Sequence, residues 1–129
     1  MFITARVFNM VKEINGVQKL QFELMKKASF NDFNGERVVK DLEAHLDLWQ
    51  GVVMKRDGLI PLRDIKDNFW NIDTLYILAE DGKEEQIETR ARTWNADVIS
   101  WLGDEEAHSL LGDYNDKNYG KKVLFVWWD

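Results

Sequence analysis

The chain contains no cysteine. That removes disulfides, thiol nucleophiles and every cysteine-ligated zinc or iron–sulfur site. Its only histidines are His45 and His108, too few for a histidine-rich metal centre in one chain. Pro61 is the only proline, and no Ser/Gly/Pro-rich tract occurs, so neither a linker nor a disordered tail is expected. No apolar run approaches the ~20 residues needed to cross a bilayer. The N-terminal MFITARVFNM lacks the basic start, apolar stretch and small-residue cleavage site of a signal peptide. These absences predict a cytoplasmic protein with no membrane association.

Catalytic and cofactor signatures are missing too. There is no G-x-x-x-x-G-K-[ST] phosphate loop, G-x-G-x-x-G turn, G-x-S-x-G elbow or H-E-x-x-H helix. No cofactor is expected, and the balance leans away from an enzyme. The loop from Asp113 to Gly120 resembles a calcium loop only faintly. Lys117 takes a ligand position, Asn118 replaces the needed glycine and Leu124 stands in for the bidentate glutamate.

What the chain does have is an ordinary globular mixture. Its 129 residues are 45% hydrophobic and 31% charged, enough for one domain, 1–129, with its own core. Charge is distributed unevenly. Residues 1–70 carry 11 basic and 10 acidic side chains, residues 71–129 carry 6 and 13, so the −6 overall resides in the second half. Such a surface repels phosphates and favours a basic partner, which disfavours nucleic acid.

Hydrophobic patterning supplies the fold. Two β-rich runs, 2–13 and 17–26, flank Asn15-Gly16, the strongest short hairpin signal. A two-residue loop there puts Ile3, Ala5, Val7, Val11, Leu20, Phe22 and Leu24 on one face. Arg6, Phe8, Met10, Lys19 and Met25 fall on the other. From Glu36 to about Trp49 the spacing of Val38, Val39, Leu42, Leu46 and Trp49 predicts a helix. Residues 52–65 are ambiguous, with Arg56-Asp57-Gly58 available as a turn between Val52–Met54 and Leu59–Leu62. The second half reads β-α-β-α-β. Its strands are TLYILA (74–79), VISWL (98–102) and VLFVWW (123–128). A helix over 83–94 buries Ile87, Ala91 and Trp94. A short helix over 104–111 starts with Asp104 as its cap and ends before Gly112. The fold class is thus mixed α/β, bordering α+β: an N-terminal antiparallel β-hairpin, a helix, then β-α-β-α-β, in one mixed sheet with helices packed on it.

The strands VLFVWW and TLYILA are apolar on both sides, as parallel strands covered on both faces usually are. The helices, however, are too few to cover both faces, and the two helices of the second half are expected to share one. Apolar surface is left over for a partner. With six tryptophans in the chain, Trp127 and Trp128 become interface candidates together with Phe8 and Met10. Trp128, near the chain end, is the tryptophan expected to be least buried.

These features predict a non-enzymatic binding or accessory protein of small inhibitor or immunity type, acting through protein–protein contacts with a basic partner. A homo-oligomer could form if the basic hairpin of one copy met the acidic half of another. The alternative is a nucleotide or single-stranded nucleic-acid module using Arg6, Phe8 and Lys19 on the hairpin. A third reading gathers Glu80, Asp81, Asp104 and Asp129 on the rim beyond parallel strands as a Mg²⁺ site for a metal-dependent enzyme. Helix capping competes with that reading, because acids suit helix starts. Finally, Asp41 lies one turn before His45, a spacing that can orient an imidazole as a base or merely decorate a helix.

Overall fold

The computed structural model describes residues 12–30, 32–54, 62–68, 70, 72–112 and 116–129. The first run of the expected hairpin, with Arg6, Phe8 and Met10, lies outside them apart from its last residues. So does the Arg56-Asp57-Gly58 turn. The mixed α/β class and the β-α-β-α-β order of the second half hold.

The second arm of the hairpin is instead a helix, α1, spanning Gly16–Lys27. Asn15 is its N-cap, its side chain accepting from the Gln18 amide at 2.9 Å. The same Asn-Gly pair that favours a tight turn also suits a helix start, and the residues after it decide between them. QKLQFELMKK is rich in Gln, Lys, Leu, Glu and Met, all good helix formers, and has no β-branched residue. The change of period re-sorts the faces. Phe22 and Met25 are buried, whereas Leu20 and Leu24, expected in the core, are exposed. Lys26 and Lys27 sit in the last turn, where the helix dipole favours cations.

A two-residue ladder, β1 (Ser29–Phe30) with β2 (Phe33–Asn34), leads into α2, Gly35–Ala44. Gly35 is required there. A β-carbon at this position would collide with the Met25 carbonyl and stand 2.9 Å from the Ala28 oxygen. The helix expected to reach Trp49 breaks at His45. A 3₁₀ turn, Leu46–Leu48, then feeds β3, Trp49–Met54. A short helix, α3 (Leu62–Lys66), precedes β4, Thr74–Ala79. Then come α4 (Glu84–Ala91), β5 (Val98–Trp101), α5 (Asp104–Leu111) and β6 (Val123–Trp127). Gly112 ends α5 in the left-handed conformation, as its position past the helix predicts. Asp104 is one residue inside α5, and Gly103 is the cap.

The main sheet has the order β3-β4-β6-β5, and every neighbouring pair is antiparallel. The expectation of a mixed sheet built on parallel neighbours is corrected by this. β4 and β5 do run the same way, but β6 lies between them. Register fixes two faces. Val52 and Met54, Leu75 and Ile77, Leu124 and Val126, and Ile99 and Trp101 share one. On it pack Phe22 and Met25 of α1, Val38, Val39 and Leu42 of α2, and Ile87 and Ala91 of α4, with Trp94 just beyond α4. This is the core. Burial of a large apolar side chain there stabilises by about 1.5–3 kcal/mol.

Candidate functional site

The opposite face carries Val53, Tyr76, Phe125 and Ser100 in one row. Gly51, Leu78 and Val123 form the row to one side, and Thr74, Trp127 and Val98 the row to the other. Among the described residues α5 is the helix that covers it, and only at one end. Ala107 and Val123 are buried but stand apart from the main core. The two second-half helices therefore lie on opposite faces, not on a shared one. Beyond α5 the surface stays partly open. Tyr76, Phe125 and Trp127 are half-buried, and Val53 and Val98 are each 38% exposed. Tyr76 and Phe125 lie with ring centroids 5.9 Å apart. Leu110 and Leu111 of α5 wall a groove of about 260 Å³, floored by Gly51, Val53, Tyr76, Leu78 and Val123 and closed at one lip by Gln18.

The sequence's own candidates divide sharply around this face. Trp127 belongs to it, with its indole nitrogen donating to Asp73 Oδ2 at 3.3 Å. Trp128 does not. It is fully buried, its ring 4.2 Å from that of Phe33 and its nitrogen donating to the Trp94 carbonyl at 2.9 Å. Proximity to the chain end gave no exposure, because strand alternation turns Trp128 into the core. Lys19 is exposed on α1, so the sheet platform expected for it with Arg6 and Phe8 lacks its second strand.

The acidic rim does not assemble. Glu80, Asp81 and Asp104 do share one end of the sheet, because β4 and β5 run in the same direction. Asp129 follows β6, which runs the other way, and lies at the opposite end, where its amide donates to Asp97 Oδ2. The acids are also matched by cations that patterning alone does not reveal. Lys121 pairs with Asp81 at 2.9 Å and Lys122 with Asp104 at 3.3 Å, both from the two residues just before β6. Glu80 accepts from the Gln50 side chain at 3.0 Å. Among the described residues no group of three or more metal-ligating side chains occurs.

The Asp41–His45 spacing finds a fuller setting. The Asp41 carboxylate receives the Arg90 guanidinium at 2.9 and 3.2 Å and the Trp94 indole at 2.7 Å. His45 Nδ1 stands 3.2 Å from Asp41 Oδ1 and 2.9 Å from the Asp41 carbonyl oxygen. These contacts require Nδ1 to carry the proton, which would leave Nε2 basic in the neutral ring. Beside it runs a shallow groove of about 560 Å³, lined by His45, Asp47, Leu48, Glu85, Gln86, Thr89 and Arg90. Among the described residues no nucleophile completes it. Thr89, the one hydroxyl in the lining, donates to the Glu85 carbonyl. With its donors saturating it, the Asp41 carboxylate works as a cross-link from α2 to α4. Hydrogen bonds to charged groups contribute ~1.5–3 kcal/mol each.

Two ionisable groups are shifted in informative ways. Lys12 donates to the Leu46 and Trp49 carbonyls and lies 4.5 Å from the Trp49 ring centroid. Burial there lowers its pKa, opposed by Glu80 and Asp47. The Glu88 carboxyl is held below its ordinary value by hydrogen bonds from Arg92 and then from the Trp101 indole.

The architecture thus defines a four-stranded antiparallel sheet in an α/β fold, with one face buried over β3, β4 and β6 and, among the described residues, the other covered in part. Compared with protein-family models, curated proteins and solved structures, the chain matches none. Among the described residues no helix is long and apolar enough to cross a membrane.

Proposed function

We propose that the protein is a non-enzymatic binding module that engages another protein through the partly open sheet face. The partner offers an apolar anchor side chain surrounded by lysine or arginine, in the manner of a target bound by a small inhibitor or immunity-type protein. One observation carries this reading: Val53, Tyr76, Phe125, Trp127 and Val98 form a continuous apolar surface that α5 covers only at one end. The size of the groove favours a side chain over a cofactor. At about 260 Å³ it is smaller than the ~300–1,000 Å³ of ordinary ligand pockets. It suits a single anchor, the arrangement that concentrates binding energy at interfaces.

Charge sets the chemistry of the surroundings. Residues 71–129, which supply most of this face, hold 13 acidic against 6 basic side chains. A basic rim on the partner would speed encounter and make affinity fall with salt. The exposed stripe Val17, Leu20 and Leu24 on α1 is a weaker candidate, because a convex ridge supplies area without a pocket.

A photo-crosslinking residue placed at Val53 identifies the partner, and titration then measures its affinity. Val53→Lys and Leu110→Asp are expected to weaken binding at least tenfold, while Leu20→Asp leaves it within about twofold. Unchanged affinity in both face variants contradicts the proposal. Loss confined to Leu20→Asp moves the site to α1.

A further inference from the structure

The two edges of the main sheet are treated differently. On β3, alternation directs the amides of Val52 and Met54 away from β4. Side chains of α1 meet both. Gln18 donates to the Val52 carbonyl at 2.8 Å and accepts from the Val52 amide at 2.9 Å, so its amide group imitates a neighbouring strand. Gln21 accepts from the Met54 amide at 3.0 Å. Lys12 meets the Trp49 carbonyl. This edge is stoppered.

Among the described residues the β5 edge has no such cover. Leu102 donates to the Val123 carbonyl at 3.0 Å, which fixes the alternation along β5. Ser100 then bonds inward to Phe125, and the backbone groups of Ile99 and Trp101 point outward. Among the described residues no side chain or backbone group bonds them. The strand itself carries no charge, no proline and no bulge, the devices that normally blunt an exposed edge.

We infer that β5 pairs with β5 of a second copy of this chain, antiparallel about a two-fold axis at Ser100, to continue the sheet across the dimer. The edge is self-complementary in that register. Ile99 faces the partner's Trp101 and Trp101 the partner's Ile99, exchanging N–H and C=O in both directions. Ser100 faces its own copy in a non-hydrogen-bonded pair, where side chains approach most closely. The flanks fit as well, since Asp97 comes opposite Gly103 and no like charges meet. Backbone pairing alone accepts any strand; a second copy is the favoured occupant because it brings an equally uncharged edge, an Ile99–Trp101 contact on each side of the axis and flanks without like charges. With only four residues in β5 the contact is small, so the dimer is weak and reversible. Because backbone bonds carry it, it resists salt, unlike a dimer held by basic and acidic surfaces.

Sedimentation equilibrium from ~10 μM to ~1 mM protein tests this, covering the range of a weak contact. The average mass is expected to climb from 15.2 kDa towards twice that value, equally at low and high salt. Ser100→Lys sets two ammonium groups opposite each other and should stay monomeric, and so should Ser100→Glu. Mixing the two should restore a dimer, which neither forms alone. Hydrogen exchange on the unmodified protein gives an independent reading, with the Ile99 and Trp101 amides slowed at high concentration and fast on dilution. Val53→Lys, on the other edge strand, should dimerise normally even if it loses the partner proposed above, so the two ideas fail separately. A constant 15.2 kDa mass up to ~1 mM, or dimers of Ser100→Lys as strong as those of the parent, overturns the inference.

Discussion

The two faces of the main sheet are built from the same strands, yet only one behaves as a core. On the covered face Leu75, Ile77, Leu124 and Val126 are fully buried, while across the sheet Val53 and Val98 are 38% exposed. Composition contributes, since the open face also carries Gly51, Thr74, Tyr76 and Ser100. Connections do the rest. α1, α2 and α4 deliver Phe22, Met25, Val38, Val39, Leu42 and Ile87 to one face. The eight residues of α5 reach only one end of the other. Apolar alternation in a strand therefore records what each face can contact, inside the chain or beyond it.

The sharpest way to break the comparison is paired truncation. Ile77→Ala on the covered face is expected to cost ~2–5 kcal/mol in urea unfolding, from lost transfer energy plus a cavity. Val53→Ala on the open face should cost under about 1 kcal/mol, because much of that side chain is already in water. Equal costs would mean that both faces are core. Next in size is the clamp that holds the cover in place. Asp41→Ala leaves the Trp94 indole and Arg90 without their acceptor and should cost ~2–4 kcal/mol. Asp41→Asn keeps an acceptor oxygen and should cost less.

The smallest effect concerns acid. Glu88 has a folded pKa below its ordinary 4.5, so its contribution is complete above that value and is lost as pH falls through the lower folded value. Part of it is the bond to Trp101, at the edge of the covered face. Trp101 fluorescence should change in that acid window before global unfolding. Glu88→Gln should flatten the dependence without altering stability at neutral pH by more than about 1 kcal/mol, since the half-buried group keeps contact with water and the amide oxygen still accepts.

Much of the second half is legible in the sequence. Runs 74–79, 98–102 and 123–128 stand out as apolar between turn residues and match the observed strands to within a residue, and Ile87, Ala91 and Trp94 share a helical face. Two errors have physical causes. Asn15-Gly16 serves equally as hairpin turn or helix cap, and the helix-forming QKLQFELMKK settles the choice. The pattern Val38, Val39, Leu42, Leu46, Trp49 keeps its spacing through the break at His45, so the start of β3 looks helical. The antiparallel arrangement escapes patterning because two-sided apolarity suits covered strands of either direction. Of the open face, Trp127 can be named in advance. Val53, Tyr76, Leu78 and Phe125 cannot, because their grouping depends on a strand order that single-strand patterning does not contain. Lys121 and Lys122 escape notice because their acids are distant in sequence.

Trp127 and Trp128 are adjacent in the chain and point to opposite faces, so they test the central claim within one dipeptide. Carbene footprinting with residue-level mass spectrometry on dilute, monomeric protein should label Trp127, together with Tyr76 and Phe125, and leave Trp128 and Ile77 unlabelled. Equal protection of Trp127 and Trp128 in the lone chain would contradict the account, since both faces would then be closed without a partner.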